Sequence, residues 1–229
     1  MKIKILIIFC LIIFFSSISG SAEEKITGNI YFGYDINKLK KEEQNLINQP
    51  DSFEKFVKLG LVYHTLAEKG EIVSQSAIDN FEKALQIEPD NYYVQAFLGS
   101  TYTLLSNELK GKTLKMEKAD KGIKILDQVL KDHPDDYDIN ILVAFNSMYL
   151  PDKLFGRLKI AQAIIEKLLK DFDQYEPQKK AEVLYLKSLF LFSSAKELEA
   201  IELWKKIVKE YKKSSYAELA KEKLKTYTE

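Results

Sequence analysis

The sequence predicts an all-α chain of about four helix pairs stacked as an α-solenoid, with one extra helix before them and a capping helix after. Three observations predict it. A short signal recurs: Leu59-Gly60-Leu61-Val62-Tyr63 returns as Leu98-Gly99-Ser100-Thr101-Tyr102, more weakly as Val143-Ala144-Phe145-Asn146-Ser147, and more weakly still around Ser188 and Leu191. Each copy is followed by a small residue, a large apolar residue four later and another apolar residue three beyond. These trios are Ala77/Phe81/Ala84, Gly122/Leu126/Val129, Ala161/Ile165/Leu168 and Ala200/Trp204/Ile207. Two of the four second segments close on acid-flanked prolines, Pro89 and Pro134, and proline cannot continue a helical hydrogen-bond ladder. A regular return of one helix-pair unit is the mark of stacked architectures.

The elements follow in order. Asp35 is placed to cap a first helix over 36–48, ended by Pro50. Paired helices are expected over 52–69 and 74–88, 91–108 and 116–132, 136–150 and 154–171, and 177–193 and 196–211. A closing helix begins at Ser214 or Ser215 and runs to about 226, with Glu218, Lys221, Glu222 and Lys225 on a solvated outer face. Residues 23–34, EEKITGNIYFGY, read as extended or irregular. The domain organisation is therefore 1–22 as a signal peptide, 23–50 as an extended segment plus first helix, and 51–229 as the repeat domain.

The packing logic is one of size. Gly60, Gly99, Ala144 and Ser188 let two antiparallel helices approach, and Phe81, Leu126, Ile165 and Trp204 fill the space beside them. This pattern resembles the tetratricopeptide repeat across roughly 52–225. The match is close in the first two copies and looser in the third. In the fourth, Lys187 and Leu191 stand where the family pattern wants Leu and Tyr. The tail AIELWKKIVKEYKKSSYAELAKEKL is similar to the last repeats of periplasmic TPR proteins of envelope assembly. The resemblance implies a right-handed solenoid whose first helices line a concave wall. Successive signals lie 39, 45 and about 44 residues apart, against about 34 in the plain repeat. The surplus falls inside the pairs, near Glu68–Ser76, Asn107–Ala119 and Tyr149–Leu158. In a solenoid it would build up one rim, read either as tolerated loops or as a docking feature.

The chain opens with Lys2 and Lys4, an apolar run from Ile5 to Phe15, and the small residues Gly20-Ser21-Ala22. That is the layout of a secretory signal peptide. The run is about half of the ~20 residues a spanning helix needs, so a retained anchor is the lesser reading. Phe9 precedes Cys10 where a lipid-attachment signal wants Gly or Ala. A chain cut after Ala22 has no cysteine, so packing alone must hold it in an oxidising compartment. It carries 32 basic and 34 acidic side chains. That balance gives no reason to expect nucleic acid, and a membrane enters only indirectly.

No cofactor, metal or catalytic residue is expected, and the chain does not read as an enzyme. His64 and His133 sit in different repeats without converging acid or thiol partners, and each reads as a polar residue at a helix end or groove edge. No Gly-x-Ser-x-Gly elbow surrounds a serine, and Gly111 stands alone rather than in a phosphate loop. Asp135-Asp136 and Glu42-Glu43 suit helix starts and charged faces. The lysines at 110, 112, 115, 118, 121 and 124 are interrupted by acids and read as a solvated face, with an anionic partner as the lesser reading.

What remains is a surface for binding. On the wall implied by the resemblance stand Ile141, Phe145 and Met148 with Tyr149 beside them, then Tyr185, Leu189 and Phe192. The second pair offers small polar residues flanked by Tyr93 and Phe97. The Lys, Arg and Asn of carboxylate-clamp family members are not there, so that activity is not carried over. An apolar groove suits an amphipathic helix or hydrophobic peptide, unless the closing helix, residues 23–34 or a second subunit fills it. Arg157 sits in the first turn of a helix, where a cation gains nothing from the dipole. Its position points to a carboxylate, from the fold or from a ligand. The reading is an exported scaffold that binds an unidentified protein or peptide in the periplasm or outside the cell. The alternatives are a transport accessory holding a small apolar ligand and a structural homo-oligomer.

Overall fold

Helix caps and turn glycines set the boundaries of the elements. The computed structural model describes residues 35–228. The signal peptide assigned to 1–22 and the irregular segment 23–34 lie outside them. The described chain is all-helical, with eleven α-helices and one short 3-10 turn. They are α1 (Ile36–Ile47), α2 (Phe53–Glu68), α3 (Ser74–Ile87), α4 (Tyr92–Glu108), α5 (Lys112–Asp132), α6 (Tyr137–Tyr149), α7 (Asp152–Phe155), α8 (Leu158–Lys170), α9 (Pro177–Ser193), α10 (Glu197–Glu210) and α11 (Ser215–Thr228). Side chains of Asp35, Ser52, Asn91 and Asp136 each accept a hydrogen bond from the backbone N–H three residues on, capping α1, α2, α4 and α6. None of the described helices is long and apolar enough to cross a membrane.

Two boundaries differ from the sequence expectation. Helix α5 starts at Lys112 rather than 116, because Gly111, at φ 90°, turns the chain straight into a helix. The surplus there lengthens α5 instead of forming a loop. The helix expected over 154–171 is divided at Gly156, which takes a left-handed φ of 61°. Asp152 then accepts from the Leu158 N–H at 2.8 Å and caps α8. One left-handed residue is not a glycine: Ala195, φ 58°, ends α9, with the Lys196 N–H donating to the Leu191 carbonyl at 2.9 Å. A Cβ in that conformation costs about 1 kcal/mol. Ala195→Gly is expected to raise stability by about 0.5–1 kcal/mol, measurable by urea denaturation.

Consecutive helices pack as neighbours, and the first helices α2, α4, α6 and α9 also touch in succession. The trios are buried: Ala77, Phe81, Ala84, Leu126, Ala161, Ala200, Trp204 and Ile207 have no exposed surface. The size rule holds at the first pair, where a Cβ on Gly60 would fall 2.5 Å from the Phe81 ring. At the second pair it works differently. Gly99 faces the Gly122 carbonyl and Ile125, not Leu126, so the two backbones themselves touch. The core is a row of three clusters, one under α1–α4, one under α4–α9 and one under α9–α11, with Phe145 packed against both of the last two.

Candidate functional site

The wall formed by α2, α4 and α6 is a buried polar seam. His64, 3% exposed, lies within α2 facing α4 rather than at a groove edge. Its Nδ1 is 3.0 Å from Thr101 Oγ1 and its ring meets Phe97 edge-on at 5.5 Å. Thr101 gives its own proton to the Phe97 carbonyl at 2.7 Å, and the other ring nitrogen of His64, Nε2, lies 3.6 Å from a Glu68 carboxylate oxygen, an acid partner the sequence reading did not expect. Asn146 on α6 donates to Thr103 Oγ1 at 2.6 Å and to Ser100 Oγ at 3.3 Å. Its Oδ1 and the Ser147 hydroxyl are buried without hydrogen-bond partners among the described residues. His133 caps the end of α5, its ring stacked 3.7 Å from Tyr92. No cluster of three or more metal-ligating side chains occurs among the described residues.

Further along the wall the surface turns apolar. Phe145, Met148 and Leu189 are half-buried, and Tyr149, at the end of α6, is 72% exposed. The Tyr149 phenol is nevertheless pushed up, first by the protein around it and then by the Glu68 carboxylate at the end of α2. Burial raises the Tyr185 phenol, and Tyr149 is the next contributor.

The remaining groove candidates are occupied by the fold itself. Ile141 and Tyr185 are buried, and Tyr185 packs on Tyr216 of α11 with ring centres 5.5 Å apart. Phe192 lies 5.8 Å from Trp204 and 4.6 Å from Tyr227, so the closing helix covers that end of the wall. Tyr93 donates to Asp136 at 2.5 Å, and Phe97 packs on Phe81 at 6.1 Å. Neither stands with Tyr149. Sequence reasoning missed Glu182, a carboxylate raised by burial that accepts from Tyr216 and, at 2.9 Å, from Tyr137. A lone acid inside the apolar run AEVLYLKSLFLF was the available signal.

The carboxylate facing Arg157 comes from the fold. Arg157 is 5% exposed, and its Nη1 donates to both oxygens of Asp127 on α5, at 2.7 and 2.9 Å. Its Nε and Nη2 are buried without partners. Removing the acid strands a buried cation, whereas replacing the arginine removes both the charge and its orphaned donors. Asp127→Ala is expected to cost about 2 kcal/mol, discounted because the Asp127 side chain is 47% exposed, and Arg157→Met under about 1 kcal/mol. Thermal melts of the two variants check the contrast.

No protein-family model, curated protein or solved structure matches the chain. The fold by itself defines an all-helical chain with a repeat-like succession of helix pairs.

Proposed function

We propose that the chain is an exported, TPR-like right-handed solenoid that holds a protein or peptide segment in its apolar concavity, within the cell envelope. The succession α2, α4, α6, α9 supports the solenoid reading, since each first helix touches the next. The observation that carries the binding reading is Tyr149, 72% exposed at the end of α6, the helix that also bears half-buried Phe145 and Met148. An exposed aromatic in a concavity is the kind of anchor that dominates interfaces. Apolar side chains of this kind suit one face of an amphipathic helix.

A photoreactive phenylalanine at position 149, in cells that make the chain, should form a discrete adduct with one protein. Tyr149→Asp is expected to leave stability within about 0.5 kcal/mol and to weaken capture by about 2 kcal/mol, roughly thirtyfold. Adducts with a second copy of the chain alone would favour the structural oligomer. No adduct at all would remove the groove as a binding site.

A further inference from the structure

The exposed apolar side chains are not scattered. An exposed aliphatic stands in or beside each of the four connections inside a helix pair: Ile72 in the first, Leu114 in the opening turn of α5, Leu154 in the short α7 and Leu198 second in α10, with exposures of 81, 39, 56 and 80%. These turns lie at one edge. Ser74, opening α3, donates from its N–H and hydroxyl to Glu108, closing α4, at 3.1 and 2.5 Å. Tyr149 feels Glu68, and Tyr227 at the end of α11 packs on Phe192 at the end of α9. The other edge has Ile47 and Ile87 exposed and is laced by polar bonds, with Tyr93 on Asp136, Tyr137 on Glu182, and Lys167 on Asp135 at 2.7 Å.

Charge divides the same way. Exposed Lys110, Lys112, Lys115 and Lys153 mark the turn edge, and none forms an ion pair with another described residue. Exposed Asp51, Asp90, Asp135 and Asp173 mark the opposite edge. Acids also stand exposed on the turn edge (Glu68, Glu117, Asp152, Glu197, Glu199) and lysines on the other (Lys131, Lys170, Lys209, Lys212, Lys213), so the turn edge carries a modest basic excess rather than a uniform charge. The start of the described chain also belongs to the turn edge, because Lys40 of α1 reaches Glu71 at 3.5 Å.

We propose that this edge rests on an anionic bilayer, with the four aliphatic side chains entering the headgroup region and the lysines meeting lipid phosphates. Single aliphatics at turn tips, separated by lysines, form no pocket for a protein anchor. They suit shallow insertion, with lysine stems lying along the acyl boundary and ammonium groups in the headgroups. This face shares Tyr149, the last residue of α6, with the groove reading, so the test uses positions 114 and 154, which that reading does not invoke.

The test uses the full chain carrying Leu114→Trp, Leu154→Trp or, as a control on the other edge, Ile87→Trp. The native Trp204 is fully buried and gives a constant background. The chain is mixed with vesicles of brominated phosphatidylcholine, with and without phosphatidylglycerol. In vesicles containing phosphatidylglycerol, tryptophan at 114 and 154 should be quenched several-fold more than at 87. Lys110→Glu, Lys112→Glu and Lys115→Glu together should weaken that contact roughly a hundredfold, at about fivefold per lysine. Molar salt should do the same. Equal quenching at both edges would mean attachment by the N-terminal run alone. Quenching indifferent to the lysines would deny the charged contact. A lipid-independent blue shift with dimers in light scattering would give the edge to a second copy. Each of these results overturns the proposal.

Discussion

Trp204→Ala is expected to cost about 3–5 kcal/mol, the range for emptying a large aromatic site. Trp204 has no exposed surface and lies 5.8 Å from both Phe192 and Tyr227. It joins α9, α10 and α11 in one cluster, so its loss should loosen the C-terminal end first. In a chain whose helices touch mainly their sequence neighbours, that end can melt while α2–α5 hold. Hydrogen exchange should show protection lost over 177–228 and kept over 53–132. Trp204→Phe should cost far less, since it keeps a ring and removes an indole N–H that has no partner. Uniform loss of protection along the chain would contradict a modular core.

Gly122→Val is expected to cost about 3 kcal/mol or more, at the top of the overpacking range. A Cβ at 122 would fall 2.4 Å from the Gly99 carbonyl oxygen and 2.7 Å from Thr103 Cγ2. Backbone atoms cannot rotate away, so α4 and α5 would have to separate along their length. The better helix propensity of a residue with a side chain returns only about 0.5 kcal/mol. Lys124→Ala, on the exposed face of α5, should change stability by less than about 0.5 kcal/mol. Chemical denaturation of the pair would separate close approach from propensity.

Helices, caps and pairings were legible because their signals are local. The trios, Asp35 and the prolines each act within a turn or two of their own position. Gly111 and Gly156 were harder to read, because a glycine in a loop does not declare whether it starts a helix or divides one. Leu126 stood in the expected place, yet Gly99 meets Gly122 and Ile125. The crossing point of two helices depends on both faces at once. For the site, Arg157 signalled a carboxylate by its unfavourable helix position, but Asp127 lies 30 residues away and nothing local names it. The burial of Tyr185 and Phe192 under α11 was equally hidden, since a helix apolar on all sides reads the same whether it lines a groove or is covered.

The central claim is that small residues let paired helices nest until backbone or ring meets backbone. Nuclear Overhauser contacts in the folded protein test it most directly. The account predicts strong contacts from Gly60 Hα to the Phe81 ring and from Gly122 Hα to the Thr103 methyl. Absence of both in a well-folded helical sample would contradict it.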